Sequence, residues 1–93
     1  MILVDGLITY SARITRGLPS RTWCHMVSDA SKAELHDFAA RIGLRRSWAQ
    51  LRPQASAAHY DLLPFRRALA VKLGAIEVTR HDLVVRNYDR IRR

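Results

Sequence analysis

The chain has 93 residues and a formal net charge of +8, from 16 Lys and Arg against 8 Asp and Glu. That length holds one domain, 1–93, with no room for a second core. Its single cysteine, Cys24, excludes an internal disulfide and cannot make a zinc site by itself, and no apolar run reaches the roughly 18 residues a membrane span needs.

Ile2-Leu3-Val4 is a continuous apolar run closed by Asp5-Gly6, the pattern of a short strand buried on both faces and followed by a turn. No basic segment precedes it, so the opening does not read as a signal peptide. With one cysteine in the chain, a cytosolic compartment is the expected one. Residues 11–22 are rich in Arg, Ser, Thr, Gly and Pro and read as a loop-rich insertion. In the next segment Trp23, Met26 and Val27 have helical spacing, which predicts a short helical turn over 21–29.

Ser31-Lys32-Ala33-Glu34 has the form of a capping box, with the Ser oxygen taking a free backbone N–H and the Glu reaching back to the cap. Leu35, Phe38, Ala39 and Ile42 then follow helical spacing as one apolar stripe, and Gly43 falls where a left-handed C-terminal cap is wanted. Residues 44–51 fit no single pattern; within them 47–51 reads as a short strand with Trp48 inward, and Pro53 ends any regular element. His59-Tyr60-Asp61 follows as part of a connection, and Pro64 opens a second helix with Phe65, Leu69 and Leu73 inward and Gly74 at its end. Residues 75–78 predict a strand, and Thr79 caps a last helix. The apolar side of that helix is Leu83, Val84, Tyr88 and Ile91, and the segment 80–93 is a basic helix and tail.

Alternating strands and helices predict an α/β domain with a short, mostly parallel three-stranded sheet, order 2-1-3, and covering helices. In such a sheet ligands bind beyond the carboxyl ends of the strands. Asp5, His25, Asp29, His59 and Asp61 would then converge on one rim, with Tyr60 beside them. His36, on the outer side of the first helix, is left out. Imidazoles and carboxylates suit acid–base work or a divalent ion, so His59, Asp61 and His25 are the candidate catalytic groups. Asp5 and Asp61 are the candidate metal ligands, and Asp5, Asp29, Tyr60, Arg45 and Arg46 the candidate ligand contacts. No phosphate-binding glycine loop and no serine nucleophile elbow is present.

Fourteen of the sixteen basic residues are Arg, the better residue for bidentate phosphate contact. The function expected is therefore binding of a nucleotide, a nucleic acid or another phosphate-bearing ligand, with a metal-dependent phosphoesterase as its catalytic form. Two alternatives stand beside it. Residues 33–50 also read as a helix-turn-helix, with Arg45, Arg46, Ser47 and Gln50 facing DNA. A small protein-binding or inhibitor protein would instead expose an apolar patch.

Asp5, Trp23 with His25 and Asp29, Glu34-Leu35-His36 with Phe38-Ala39, Ile42-Gly43-Leu44, Trp48 with Gln50, His59-Tyr60-Asp61 and Leu73-Gly74-Ala75 stand in an order that resembles a small bacterial and phage family, domain of unknown function 4031. The resemblance covers almost the whole length, and the His-Tyr-Asp triplet is its most specific part. Ala49 departs from the aromatic residue members commonly carry after the Trp. The resemblance supports the single domain and the choice of polar residues, and brings no activity with it.

Overall fold

The computed structural model describes residues 1–11, 21–49 and 58–92. Most of the expected loop at 11–22, with Arg13 and Arg16, lies outside the described residues. So do Gln50 and Leu51, the end of the expected 47–51 strand, Pro53, and Arg93 of the basic tail. The elements run β1 (Ile2–Val4), β2 (Ile8–Thr9), β3 (Thr22–Ser28), α1 (Lys32–Arg41), a 3-10 turn (Arg46–Trp48), β4 (Tyr60–Leu62), α2 (Pro64–Lys72), β5 (Ile76–Glu77) and α3 (Arg80–Arg92).

The domain is α/β, but its sheet is mixed and five-stranded, in the order β2-β3-β1-β5 with β4 also paired to β3. Among the described residues β1, β2 and β4 run antiparallel to β3, while β1 and β5 pair in parallel. The expected mostly parallel three-stranded sheet is therefore replaced by one built around β3. Residues 21–29, expected as a helical turn, supply that central strand. Trp23, Met26 and Val27 fit helical spacing, but they also divide between the two sides of an alternating strand. Pairing on both edges decides between the two, because Met26 is matched to Val4 on one side and to Tyr60 on the other. Tyr60 and Asp61 of the His-Tyr-Asp triplet likewise belong to a strand, β4, with His59 just before it, rather than to a loop. Its side chains alternate as a strand requires: Ala58, Tyr60 and Leu62 are buried while Asp61 is exposed.

Residues 44–49 form no strand. Trp48 lies exposed in a single 3-10 turn, with the Arg45 guanidinium 5.9 Å from its ring. A segment without β-branched residues has little to hold it in a sheet. The same turn removes the second helix that a helix-turn-helix over 33–50 requires.

One face of the sheet is closed. Ile2, Val4, Cys24, Met26, Tyr60 and Leu62 pack with Leu35, Phe38, Ala39 and Ile42 of the α1 stripe and with Ala70 of α2. α2 meets the sheet through Ala70 and Val71, while Phe65, Leu69 and Leu73, expected inward, are exposed. The small Ala70 lets the helix approach closely, and the bulkier stripe turns to solvent. On the other face, among the described residues, Leu83 of α3 packs on Leu3 and Val27 at one end, with Val78 against them. Of the expected apolar side of α3, Val84, Tyr88 and Ile91 are exposed, and Asn87 is buried instead.

The caps follow the sequence with one change. Ser31 Oγ accepts from the Glu34 N–H at 3.0 Å, and Thr79 Oγ1 accepts from the Asp82 N–H at 3.0 Å. The Glu34 carboxylate does not return to the cap. It accepts from Ser28 Oγ at 2.6 Å and from the N-terminal ammonium at 2.6 Å. Gly43 and Gly74 end α1 and α2 at φ of 83° and 111°, where a side chain would be strained. Among the described residues no helix is long and apolar enough to cross a membrane.

Candidate metal centre

Strand alternation puts Asp5, Trp23, His25 and Asp61 on the half-covered face. His25 on β3 is matched directly to Asp61 on β4. Asp5 leaves the end of β1 just where its own N–H still bonds to the His25 carbonyl at 3.2 Å. Gly6 follows, and the chain resumes pairing with β3 only at Ile8. The break lets the Asp5 side chain turn into the sheet, where it is fully buried.

Both Asp5 carboxylate oxygens are used on His25. Oδ1 accepts from the His25 backbone N–H at 2.6 Å, and Oδ2 lies 2.8 Å from Nδ1. An ionised carboxylate only accepts, so Nδ1 carries its proton and Nε2 of the neutral ring is left as a ligand or base. Burial pushes the Asp5 carboxyl up, but the hydrogen bonds from the His25 ring and backbone outweigh it and hold it below its ordinary value. The same bond to Asp5 raises His25, against burial and the charge of Arg80 and with the help of the Asp5 and Asp61 charges. Arg67, from α2, donates Nε to the Asp5 carbonyl at 2.8 Å and Nη1 to Glu77 at 3.0 Å, which fixes the end of β1.

In front of His25, its Nε2 lies 4.0 Å from Asp61 Oδ1, and Nε2 of His59 lies 3.6 Å from the same oxygen. The two imidazoles meet edge to face, with ring centroids 5.5 Å apart. One ligand atom from each of His25, His59 and Asp61 falls within 4.8 Å of the others. Tetrahedral ligands about 2.1 Å from an ion stand about 3.4 Å apart, so small side-chain rotations would close this set on one. Two imidazoles and a carboxylate are a donor set for Zn²⁺ or a neighbouring first-row ion.

Four of the five expected cluster residues therefore meet, on a face of the sheet rather than at a rim of parallel strands. Asp5 backs His25 instead of standing beside Asp61 as a ligand. Asp29 is at the other end of β3, bonded to Arg86 at 2.6 Å and paired with the N-terminal ammonium at 3.0 Å. Tyr60 points the opposite way from Asp61, into the closed core, with its hydroxyl 2.7 Å from Nδ1 of His36. His36, left out from sequence, is thus on the closed side. Arg45 and Arg46 are exposed, and the Arg46 charge acts on His36 and Tyr60 rather than on the cluster.

Sequence reasoning missed Arg67, for which the sequence carries no signal. It also missed Trp23 and Tyr10 as neighbours of the centre, although Trp23 stands two residues before His25 on a strand.

A family model described as "Protein of unknown function (DUF4031)" matches residues 9–90. Searches of curated proteins and of solved structures return no match.

Proposed function

This chain belongs to the DUF4031 family, and we propose that it is a metal-dependent phosphoesterase whose divalent ion is held by His25, His59 and Asp61. The observation that carries the reading is the convergence of those three ligand atoms in front of a histidine that a buried carboxylate already orients. His25, His59 and Asp61 would hold such an ion, which would supply Lewis acidity and lower the pKa of a water at the site. Asp5 keeps the His25 ring turned with Nε2 forward and increases its basicity, as carboxylates behind metal-bound histidines do. The net charge of +8, carried mostly by Arg, favours an anionic ester as substrate. Cys24 takes no part, since burial pushes its thiol up to about 12.

The test is titration with Zn²⁺ and with Mn²⁺ by calorimetry, beside hydrolysis of bis(p-nitrophenyl) phosphate with and without EDTA. Stoichiometric binding by the unaltered protein, and its loss in His59→Ala and Asp61→Ala with the circular dichroism spectrum kept, is the expected result. Undiminished metal binding in both variants would overturn it.

A second reading, docking on another protein, is favoured by Val84, Val85, Tyr88 and Ile91, which α3 leaves exposed. It predicts a stoichiometric protein partner whose binding is lost in Val84→Asp and is indifferent to Asp61→Ala.

A further inference from the structure

The rings of Tyr10 and Trp23 stack with centroids 4.0 Å apart and planes 15° from parallel. Trp23 precedes His25 by two residues on β3, so both point to the same face, about 7 Å apart along the strand. Tyr10 is held beside Trp23 because the pairing of β2 with β3 continues through the Tyr10 N–H to the Arg21 carbonyl, at 2.7 Å. Both rings are half-buried, with surface left to contact something else. On the other face of this ribbon Thr9 and Thr22 are joined hydroxyl to hydroxyl at 2.9 Å, so the aromatic pair is confined to the side of the metal centre.

From this juxtaposition of an aromatic stack with the His25, His59 and Asp61 cluster on one face, the geometry points to an unpaired nucleotide as the ligand, its base on the Trp23 and Tyr10 platform and its phosphate at the cluster. The inference deepens the phosphoesterase reading and rests on it for the phosphate position. A phosphate ester without a base would need only charge and a metal. An aromatic platform two residues along the same strand adds recognition of a flat π-surface, which every nucleobase has and which does not depend on sequence. A base paired in a duplex has no free face for such a platform, which leaves a free mononucleotide or a single strand as the source.

The experiment uses Trp23 as its own reporter, in a Trp48→Phe background where it is the sole tryptophan. Adenosine 5′-monophosphate, a short single-stranded oligonucleotide, ribose 5-phosphate and inorganic phosphate are titrated, each with Mn²⁺ and again with EDTA. The expected result is quenching of Trp23 by the two base-bearing ligands only, with adenosine 5′-monophosphate bound about tenfold more tightly than ribose 5-phosphate. Trp23→Ala should bring the two affinities together while Mn²⁺ binding stays, and Trp23→Phe should restore part of the difference. The stronger of the two base-bearing ligands identifies the source, free nucleotide or strand. Base-dependent quenching that survives EDTA, beside absent metal binding, would keep the platform and remove the phosphoesterase reading. Equal affinity for adenosine 5′-monophosphate and ribose 5-phosphate in the unaltered protein would overturn the platform whatever the metal does. That comparison needs no variant to fold.

Discussion

The two faces of the sheet are made from the same strands and behave differently. On the closed face, Val4, Met26, Tyr60 and Leu62 are apolar or nearly so, and α1 and α2 cover them. On the other, the positions beside them in sequence are Asp5, His25 and Asp61, and among the described residues α3 covers the end formed by Leu3 and Val27. The stability of the fold is therefore concentrated on one side and its candidate chemistry on the other, one residue apart along each strand. A three-residue strand such as β4 can serve both because its alternation keeps Tyr60 and Leu62 away from Asp61.

The difference is sharpest in Leu62→Ala against Asp61→Ala. Leu62 is fully buried, so its truncation should cost about 2–5 kcal/mol through lost burial and a cavity. Asp61 is exposed, and its truncation should change stability by no more than about 0.5 kcal/mol while abolishing metal binding. Urea unfolding of both variants measures the gap, and equal losses would erase the distinction between the faces.

Asp5 tests the boundary, since it is buried yet belongs to the chemical face. Asp5→Asn should weaken metal affinity about 10–100-fold by unsettling the His25 ring, without removing any ligand. Calorimetry reads this directly, and an unchanged dissociation constant would make Asp5 purely structural.

The pH dependence gives a smaller effect with a definite sign. His25 is raised above 6.5 in the folded protein, so its contribution is complete below 6.5 and fades as pH rises through the folded value. Asp5 is lowered below 3.8, so its contribution is present above 3.8 and fades as pH falls through the folded value. The pair therefore stabilises most between those limits. The stability difference between the unaltered protein and His25→Gln should be larger at about pH 5.5 than at about pH 8.5. Metal binding should move the other way, strengthening as pH rises, because Nε2 must lose its proton to take an ion. A stability difference that grew with pH would contradict the pairing.

The smallest effect belongs to α2. Phe65 is 62% exposed, so Phe65→Ser should shift stability by no more than about 0.5 kcal/mol. A larger loss would mean that the exposed stripe is covered in solution.

Local chemistry was enough to fix the helices and their ends. The Ser31 and Thr79 caps, the α1 stripe, Pro64 at the start of α2 and the left-handed Gly43 and Gly74 each depend on residues within a turn or two of one another. Asp5, His25, His59 and Asp61 were grouped on the expectation of a parallel sheet, and they meet through antiparallel pairing instead. The strand at 22–28 was not legible in the sequence, because Trp23, Met26 and Val27 satisfy helical and extended spacing equally, and only pairing with residues far along the chain separates the two. For the same reason the place where the polar residues meet, a sheet face rather than a rim, waited on the tertiary structure. Which face each side chain of β3 and β4 occupies follows from the register between them, and register is a property of two strands together that neither one carries alone.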